Sequence, residues 1–181
     1  GYADGGLEQV PFPELVDAVA AVLTAEQPTV VYTFGPDGIF DHPDHIRIGA
    51  ATDAAFARVA TTEGLAFRRL LHGAIPQSVF ERWQEQRVQL GLEPFDPTKR
   101  YHMRGVPDEL IGVAIDQSEV AHRVVAGLRE HSSQHHVIFD DPEDVDRWAR
   151  ILRRDWAVVA WPPRPPGAPM LRDVFEELPS S

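Results

Sequence analysis

The amino-acid sequence predicts an α/β fold in which a mostly parallel sheet is flanked by helices. Helical and β-rich segments alternate along the chain, which is the order expected for strands joined by crossover helices. The first β-rich run is apolar along most of its length, as in a buried parallel strand. With 181 residues, the chain is long enough to bury a core as one domain.

The first half of the chain is predicted to contain two helices and two strands. Residues 11–27 place apolar side chains on one helical face, and residues 29–34 form the β-rich run. Glycine and proline then mark a loop. A second helix is predicted over residues 44–62, with Asp44 as its candidate N-cap, and a strand over residues 65–71.

The second half continues this alternation. Residues 77–90 are predicted to be helical, and residues 92–109 form a loop-rich stretch with three prolines. A strand over residues 111–115 is followed by a helix that Ser118 is expected to cap. A last helix is expected after Pro142.

The domain organisation expected from this order is one α/β domain over residues 1–161, followed by a Pro-rich tail, residues 162–181. The tail is expected to be extended or disordered.

Composition excludes several classes of function. The formal net charge of -11 argues against binding to nucleic acid or to an anionic membrane surface, and no apolar run is long enough to span a membrane. The chain has no cysteine, so a metal ion would have to be held by histidine and carboxylate side chains. Cytoplasmic localisation is the default expectation, and the oligomeric state cannot be predicted.

The loop after the first β-rich run is the first place to look for chemistry. In open α/β sheets, ligands bind beyond the carboxyl ends of the strands, and this run ends at Phe34. The following loop contains His42-Pro43-Asp44-His45. We therefore expect this loop to border an open crevice.

These residue types suit amide hydrolysis. A zinc ion polarises a carbonyl group and activates water, while a histidine stabilises the oxyanion and protonates the leaving amine. Asp44 would favour the charged form of His42 and orient it. Alternatively, Asp44 only caps a helix and both histidines are solvated. Two histidines also fall short of the three protein ligands that are usual for a catalytic zinc ion.

Several segments together resemble the PIG-L/LmbE deacetylase family. They are Gly1-Tyr2-Ala3-Asp4-Gly5-Gly6-Leu7, the run from Pro28 to Gly38, His42-Pro43-Asp44-His45, the run from Val106 to Ile111, and His131-Ser132-Ser133-Gln134. The resemblance covers residues 1 to about 136. It implies a Rossmann-like, mostly parallel sheet with flanking helices, and removal of an N-acyl group from an amino sugar with the help of Zn²⁺ or another divalent metal.

The resemblance also implies roles for individual residues. His45 matches the zinc ligand of the family, and His42 matches the histidine that stabilises the transition state and acts as an acid. Asp44 matches the acid that tunes that histidine. Asp4 is expected to contact sugar hydroxyls, and Gln134 to line the substrate pocket.

Two departures from the family pattern are visible. The N-terminal A-H-P-D-D-E motif, which in the family supplies the other zinc ligands and a general base, does not occur in this sequence. We therefore expect that the N-terminal strand or strands of the family fold are missing, and that the chain alone is inactive and binds zinc weakly or not at all. Phe40-Asp41 also stands where some relatives have Tyr-Gly, and Phe40 cannot donate a hydrogen bond.

The leading hypothesis is a zinc-dependent hydrolase that removes the acetyl or another N-acyl group from a small amino sugar or its conjugate. The alternative is a non-catalytic carbohydrate-binding or scaffold relative that has lost the metal site. A weaker third hypothesis is a metal-dependent phosphoesterase, but phosphate sites favour arginine or lysine, and near the loop only Arg47 is available.

Overall fold

Four strands form one mixed sheet in the order β1-β2-β4-β3 in the computed structural model. The structure describes residues 1–60, 66–132, 141 and 143–179. The strands are β1 (Val30–Phe34), β2 (Arg69–Gly73), β3 (Val113–Asp116) and β4 (Arg154–Trp161). The helices are α1 (Phe12–Glu26), the short α2 (Gly38–Asp41), α3 (Pro43–Val59), α4 (Gln77–Gln89), α5 (Ala121–Arg129) and α6 (Val145–Ile151). Short 3₁₀ turns occupy Leu7–Gln9, Asp108–Leu110 and Ser118–Val120.

The predicted α/β class is confirmed, and strand pairing adds detail that the sequence did not give. Strand β1 pairs with β2 in parallel, from Val30 opposite Arg69 to Phe34 opposite Gly73. Strand β4 pairs with β2 in the antiparallel direction. The sheet is therefore mixed. Strand β1 lies at one edge of the sheet and forms the parallel pair with its neighbour β2.

The helices and strands of the first half lie close to their predicted positions. Helix α1 has Pro13 in its first turn, where the missing N–H costs no helical hydrogen bond. Its buried face, which includes Leu15 and Leu23, packs in one core cluster with Phe56 of α3 and Leu70 of β2. This core holds α3 against the sheet.

Two predicted helix caps were wrong. The N-cap of α3 is His42 rather than Asp44, because Pro43 occupies the first helical position and the His42 side chain accepts the Asp44 N–H. Ser118 does not cap α5. It lies in a 3₁₀ turn, where its N–H and hydroxyl both donate to Asp116, at 3.0 Å from the backbone nitrogen. The prediction for Gln134 lies outside the described residues, and the helix expected after Pro142 is confirmed as α6.

The chain divides into two compact units. One unit comprises Gly1–Val113 and Trp156–Ser181, and the other comprises Ala114–Asp155. In the second unit, α5 and α6 pack around buried side chains that include Val125 and Ala149. No helix among the described residues is long and apolar enough to cross a membrane.

The segment after Trp161 is held within the first unit. Leu171 is buried and its N–H donates to the Gly112 carbonyl. Arg69, which is buried on β2, donates to the carbonyls of Val174 and Glu176 at 2.6 and 2.8 Å. These contacts give the region predicted as a Pro-rich tail an ordered path over the described residues.

Candidate active site

The His-Pro-Asp-His loop follows the carboxyl end of a parallel strand, as predicted. Strand β1 ends at Phe34, opposite Gly73 of the parallel strand β2, and the loop begins at the next residue. Helix α3 lies close against this end, because a Cβ atom at Gly49 would collide with the Phe34 carbonyl oxygen. This close approach holds the first turn of α3, with its histidine, near the strand end.

His42 lies outside the first turn of α3 and caps it. Its backbone is extended, with φ of -73° and ψ of 122°, as expected for a residue before proline. Its Nδ1 atom accepts the Asp44 N–H at 3.1 Å. Because a nitrogen that accepts this bond cannot carry a proton, the proton of the neutral ring is on Nε2. His42 therefore presents an N–H donor to its surroundings.

His45 has the opposite arrangement. Its Nδ1 lies 3.2 Å from the Gly38 carbonyl oxygen, which can only accept, so Nδ1 carries the proton and Nε2 keeps its lone pair. The ring stacks on Phe34 with 3.8 Å between centroids and 11° between planes. Burial lowers the pKa of His45, and the nearby His42 adds to this, while the Gly38 carbonyl and the carboxylates of Asp44 and Asp4 oppose it.

The two histidine rings lie face to face. Their centroids are 4.6 Å apart and their planes are 24° from parallel, so the structure brings both candidate residues together at one place. Phe40 packs edge-on against both rings, at 5.8 Å from His42 and 4.9 Å from His45. An aromatic side chain thus borders the histidine pair. Because residue 40 is phenylalanine, it offers no hydroxyl group to the site.

Asp44 contacts the N-terminal loop. Its Oδ2 atom accepts the Gly5 N–H at 2.7 Å, and its Oδ1 atom accepts the Leu7 N–H at 3.0 Å. Gly5 has φ of 70°, and the Gly6 N–H closes a turn on the Ala3 carbonyl at 3.0 Å. This turn presents the exposed Asp4 at its corner, so Asp44 holds in place the segment that carries Asp4.

A cavity of about 850 Å³ in the first unit is bordered by Phe34 and by the start of the loop that follows it, Gly35, Pro36 and Asp37. It is lined mainly by apolar side chains of α3, β2 and β4, and also by a hydrogen-bonded pair in which His72 Nε2 lies 2.8 Å from Asp53 Oδ1. His42, Asp44 and His45 are not in its lining. We place the candidate chemistry at the histidine pair because, among the described residues, this is where two imidazoles with free ring nitrogens converge.

Sequence reasoning missed two aromatic neighbours of the histidines. The sequence predicts Phe34 only as the last residue of a strand, although its position next to the loop also favours a contact with the loop histidines. Tyr101 comes from the loop-rich stretch and meets His42 edge-on, with 5.5 Å between ring centroids. No pattern in the sequence links Tyr101 to the loop, because the contact depends on the path of the chain between them.

The described residues bring together no group of three or more His, Cys, Asp or Glu side chains that could hold a metal ion. His45 has the free Nε2 lone pair that a zinc ligand needs, and its lowered pKa keeps that lone pair available. Its donor chemistry therefore fits one position of a metal site. His131, which begins one of the segments that resemble the family, is exposed.

Fold and loop together define an α/β protein with a pair of stacked histidines beyond the end of a parallel strand. The family model described as GlcNAc-PI de-N-acetylase (PIG-L) matches residues 1–56, which contain Asp4 and the whole His-Pro-Asp-His loop. The resemblance to the PIG-L family that the sequence predicts is therefore confirmed over residues 1–56 of this chain.

Curated relatives carry names that agree with this family. The chain is 32% identical over 121 residues to 1D-myo-inositol 2-acetamido-2-deoxy-alpha-D-glucopyranoside deacetylase 1 of Saccharopolyspora erythraea, across 67% of this chain and 38% of the relative. It is 31% identical to 1D-myo-inositol 2-acetamido-2-deoxy-alpha-D-glucopyranoside deacetylase of Actinosynnema mirum, and this match covers 67% of this chain and 41% of the relative. The chain is 33% identical to the Geodermatophilus obscurus deacetylase of that name, and the match covers 74% of this chain and 53% of the relative.

The chain spans only 38%, 41% and 53% of the lengths of these relatives. The activity in their names therefore belongs to proteins that are about two to two and a half times as long as the matched region. What the complete protein does with this chain is treated below as a proposal.

Proposed function

We propose that the protein containing this chain is a zinc-dependent hydrolase that removes the acetyl or another N-acyl group from an amino sugar conjugate. The relatives named above are deacetylases of an inositol-linked 2-acetamido sugar, so this small molecule is the first substrate to test. The observation that carries the proposal is the opposite hydrogen bonding of the two stacked histidines. One has a free lone pair and the other a free N–H.

His45 is proposed as the metal ligand through Nε2. The Gly38 carbonyl fixes the tautomer from the other side of the ring, as outer-shell carbonyls commonly do for histidine ligands. A catalytic zinc ion usually has three protein ligands, so His45 would be one of three. When bound, zinc or another divalent ion would polarise the acyl carbonyl and lower the pKa of a water molecule.

His42 is proposed as the residue that stabilises the oxyanion and delivers a proton to the leaving amine. It holds a proton at Nε2 while Nδ1 is engaged by the Asp44 N–H. Its Nε2–H would donate to the developing negative charge. Transfer of a proton to the leaving amine would start from the imidazolium, with a second proton on Nδ1 in place of the contact with the Asp44 N–H, so that a neutral ring is left.

Asp44 and Asp4 are proposed to act together on the substrate side. Asp44 holds the turn at Gly5 and Leu7, and this turn presents Asp4, whose carboxylate would accept hydrogen bonds from sugar hydroxyls. The expectation that Asp44 also tunes His42 stays a prediction, as does the pocket role of Gln134.

The phosphoesterase hypothesis is poorly supported by Arg47. This side chain donates to the Val10 carbonyl at 2.9 Å, and its guanidinium lies 4.9 Å from the centre of the Phe12 ring. It is therefore engaged in fastening the start of α1 to α3, whereas a phosphate site would need it free.

The test uses the complete native protein and the inositol-linked N-acetyl amino sugar. We expect release of acetate, loss of activity when a chelator removes the metal, and recovery with Zn²⁺. His45→Ala should lose bound metal and activity together. His42→Ala should keep its metal and lose about 100- to 1,000-fold in kcat, as for other oxyanion donors.

His122→Ala is the matched control, because His122 is an exposed histidine in an ion pair with Asp146 and should affect neither property. Absence of acetate release from any N-acetyl amino sugar would refute the hydrolase. Sugar binding without turnover or metal would instead support the non-catalytic carbohydrate-binding alternative. Equal metal loss in both histidine variants would refute the division of roles.

A further inference from the structure

Tyr101 is a large aromatic side chain that stays exposed beside the candidate site. Its ring meets His42 edge-on at 5.5 Å with 70° between the planes, and the residue is 58% exposed. Its hydroxyl makes no hydrogen bond to a described residue. A tyrosine in this position can offer both an apolar ring face and a polar tip to a ligand.

The backbone of Tyr101 is held in an unfavourable conformation. Its φ of 63° lies in the left-handed region, which bulky residues rarely adopt. Such strain persists only where the surrounding structure imposes it, and it concentrates at functional sites. An observed strained residue with a free hydroxyl beside a histidine pair is therefore a candidate for ligand contact.

The segment before Tyr101 is fixed by several hydrogen bonds. Gln84 of α4 donates to the Phe95 carbonyl at 2.6 Å and accepts the Phe95 N–H at 2.8 Å. The Asp96 N–H donates to Nδ1 of His102 at 2.8 Å, so the residues on both sides of Tyr101 are tied together. Tyr101 therefore lies in a closed loop, directly before its closing residue His102, and the base of this loop is anchored on α4.

The segment after Tyr101 contacts α2, which ends directly before His42. Arg104 lies 3.5 Å from the Asp41 carboxylate, and Met103 and Ile39 pack against the same hydrophobic cluster. The Val106 N–H then donates to the Ile75 carbonyl at 2.8 Å. The loop therefore keeps a fixed register relative to α2, and this places the Tyr101 ring against His42.

We propose that Tyr101 is a sugar-contacting residue that determines affinity for the N-acyl amino sugar. Its ring would pack on the C–H face of the pyranose, and its hydroxyl would hydrogen-bond a sugar hydroxyl, leaving the acyl group to His42. This deepens the proposed function and rests on its substrate class. The fixed loop means that little ordering is needed when the ligand binds.

The test measures binding of N-acetylglucosamine to the complete native protein by titration calorimetry or ligand-observed NMR, with acetate release measured separately. Tyr101→Phe removes only the hydroxyl and should weaken affinity about fivefold, the effect of one neutral hydrogen bond. Tyr101→Ala also removes the ring and should weaken it about 30-fold, with KM following and kcat changing less than about twofold.

Tyr101→Asn controls for folding, because asparagine tolerates the left-handed conformation. It should keep or raise Tm while weakening affinity as Tyr101→Ala does. Phe175→Ala, which removes an aromatic side chain that is 59% exposed, should leave affinity unchanged.

The outcomes separate the two proposals. Sugar binding that Tyr101→Ala weakens, in a protein that releases no acetate, supports the contact and refutes the hydrolase. Equal affinity of the wild type and Tyr101→Ala overturns the contact, and so does a fall in kcat at unchanged KM. A wild-type protein that does not bind N-acetylglucosamine overturns both the contact and the substrate class.

Discussion

Replacing Asp44 by alanine tests how the N-terminal loop is held at the site. The substitution removes two hydrogen bonds, at 2.7 Å from the Gly5 N–H and at 3.0 Å from the Leu7 N–H. The His42 cap would remain, because it uses the backbone nitrogen of Asp44. Asp44→Ala therefore separates the carboxylate from the capping bond.

The magnitude follows from the two contacts. A buried hydrogen bond to a charged group contributes about 1.5–3 kcal/mol. The hydrogen bond to Leu7 is partly buried, so its contribution should be near the lower end of this range. The hydrogen bond to Gly5 is exposed and should contribute about 0.5 kcal/mol. An acidic side chain in the first turn of a helix adds about 0.3–1 kcal/mol. We expect Asp44→Ala to lower the free energy of unfolding by about 2–3 kcal/mol, and Asp44→Asn by about half as much.

Two assays check this reasoning on the complete protein. Urea titration gives the change in free energy of unfolding, and amide hydrogen exchange should speed up at Gly5 and Leu7 by about tenfold or more. Asp17→Ala is the control, since Asp17 forms an exposed ion pair with Arg58 and should cost less than about 0.5 kcal/mol. If Asp44→Ala abolishes activity while both exchange rates stay at wild-type values, Asp44 acts through His42 and the loop-holding role is refuted.

Three further substitutions test other parts of the structure. Arg69→Ala should lower the free energy of unfolding in urea by about 2–4 kcal/mol, because two partly buried hydrogen bonds to the C-terminal segment are lost. The exposed Arg58→Ala should cost less than about 0.5 kcal/mol. A smaller effect for Arg69 would contradict the anchoring role. Burial raises the pKa of Asp37, so the folded carboxyl holds its proton more tightly than the unfolded one, and this lowers stability as pH rises above about 3.8. Asp37→Asn should therefore raise Tm relative to wild type at pH 7 but not at pH 3.5; an equal effect at both would count against this cause. Gly49→Ala should cost about 1–3 kcal/mol, since the new Cβ meets the Phe34 carbonyl, although alanine is the better helix former; a more stable variant would show that α3 can shift.

Local patterns were sufficient to predict the fold class and the position of the loop. The apolar run that ends at Phe34 and the glycine and proline that follow it mark a buried strand and its carboxyl end. The structure confirms that strand as Val30–Phe34, paired in parallel with β2. Turns and hydrophobic periods are encoded within a few residues, which is why these predictions succeeded.

Contacts between distant segments could not be predicted in the same way. The carboxylate of Asp44 binds the amides of Gly5 and Leu7, and Tyr101 meets His42 from another loop. A carboxylate next to a histidine in sequence suggests a charge effect, yet its oxygen atoms point to the partners that the fold brings near. The antiparallel pairing of β4 with β2 is likewise a property of the chain path.

The opposite hydrogen bonding of the two histidines follows from where α3 begins. Pro43 has no N–H and fits the first helical position, so the residue before it becomes the N-cap and lies in an extended conformation. The side chain of that residue, His42, turns back to accept the next free amide, which fixes its proton on Nε2. His45 is already inside the first turn, and its Nδ1 meets the Gly38 carbonyl. The His-Pro-Asp-His spacing therefore does more than place two imidazoles side by side: it assigns the free N–H to one ring and the free lone pair to the other.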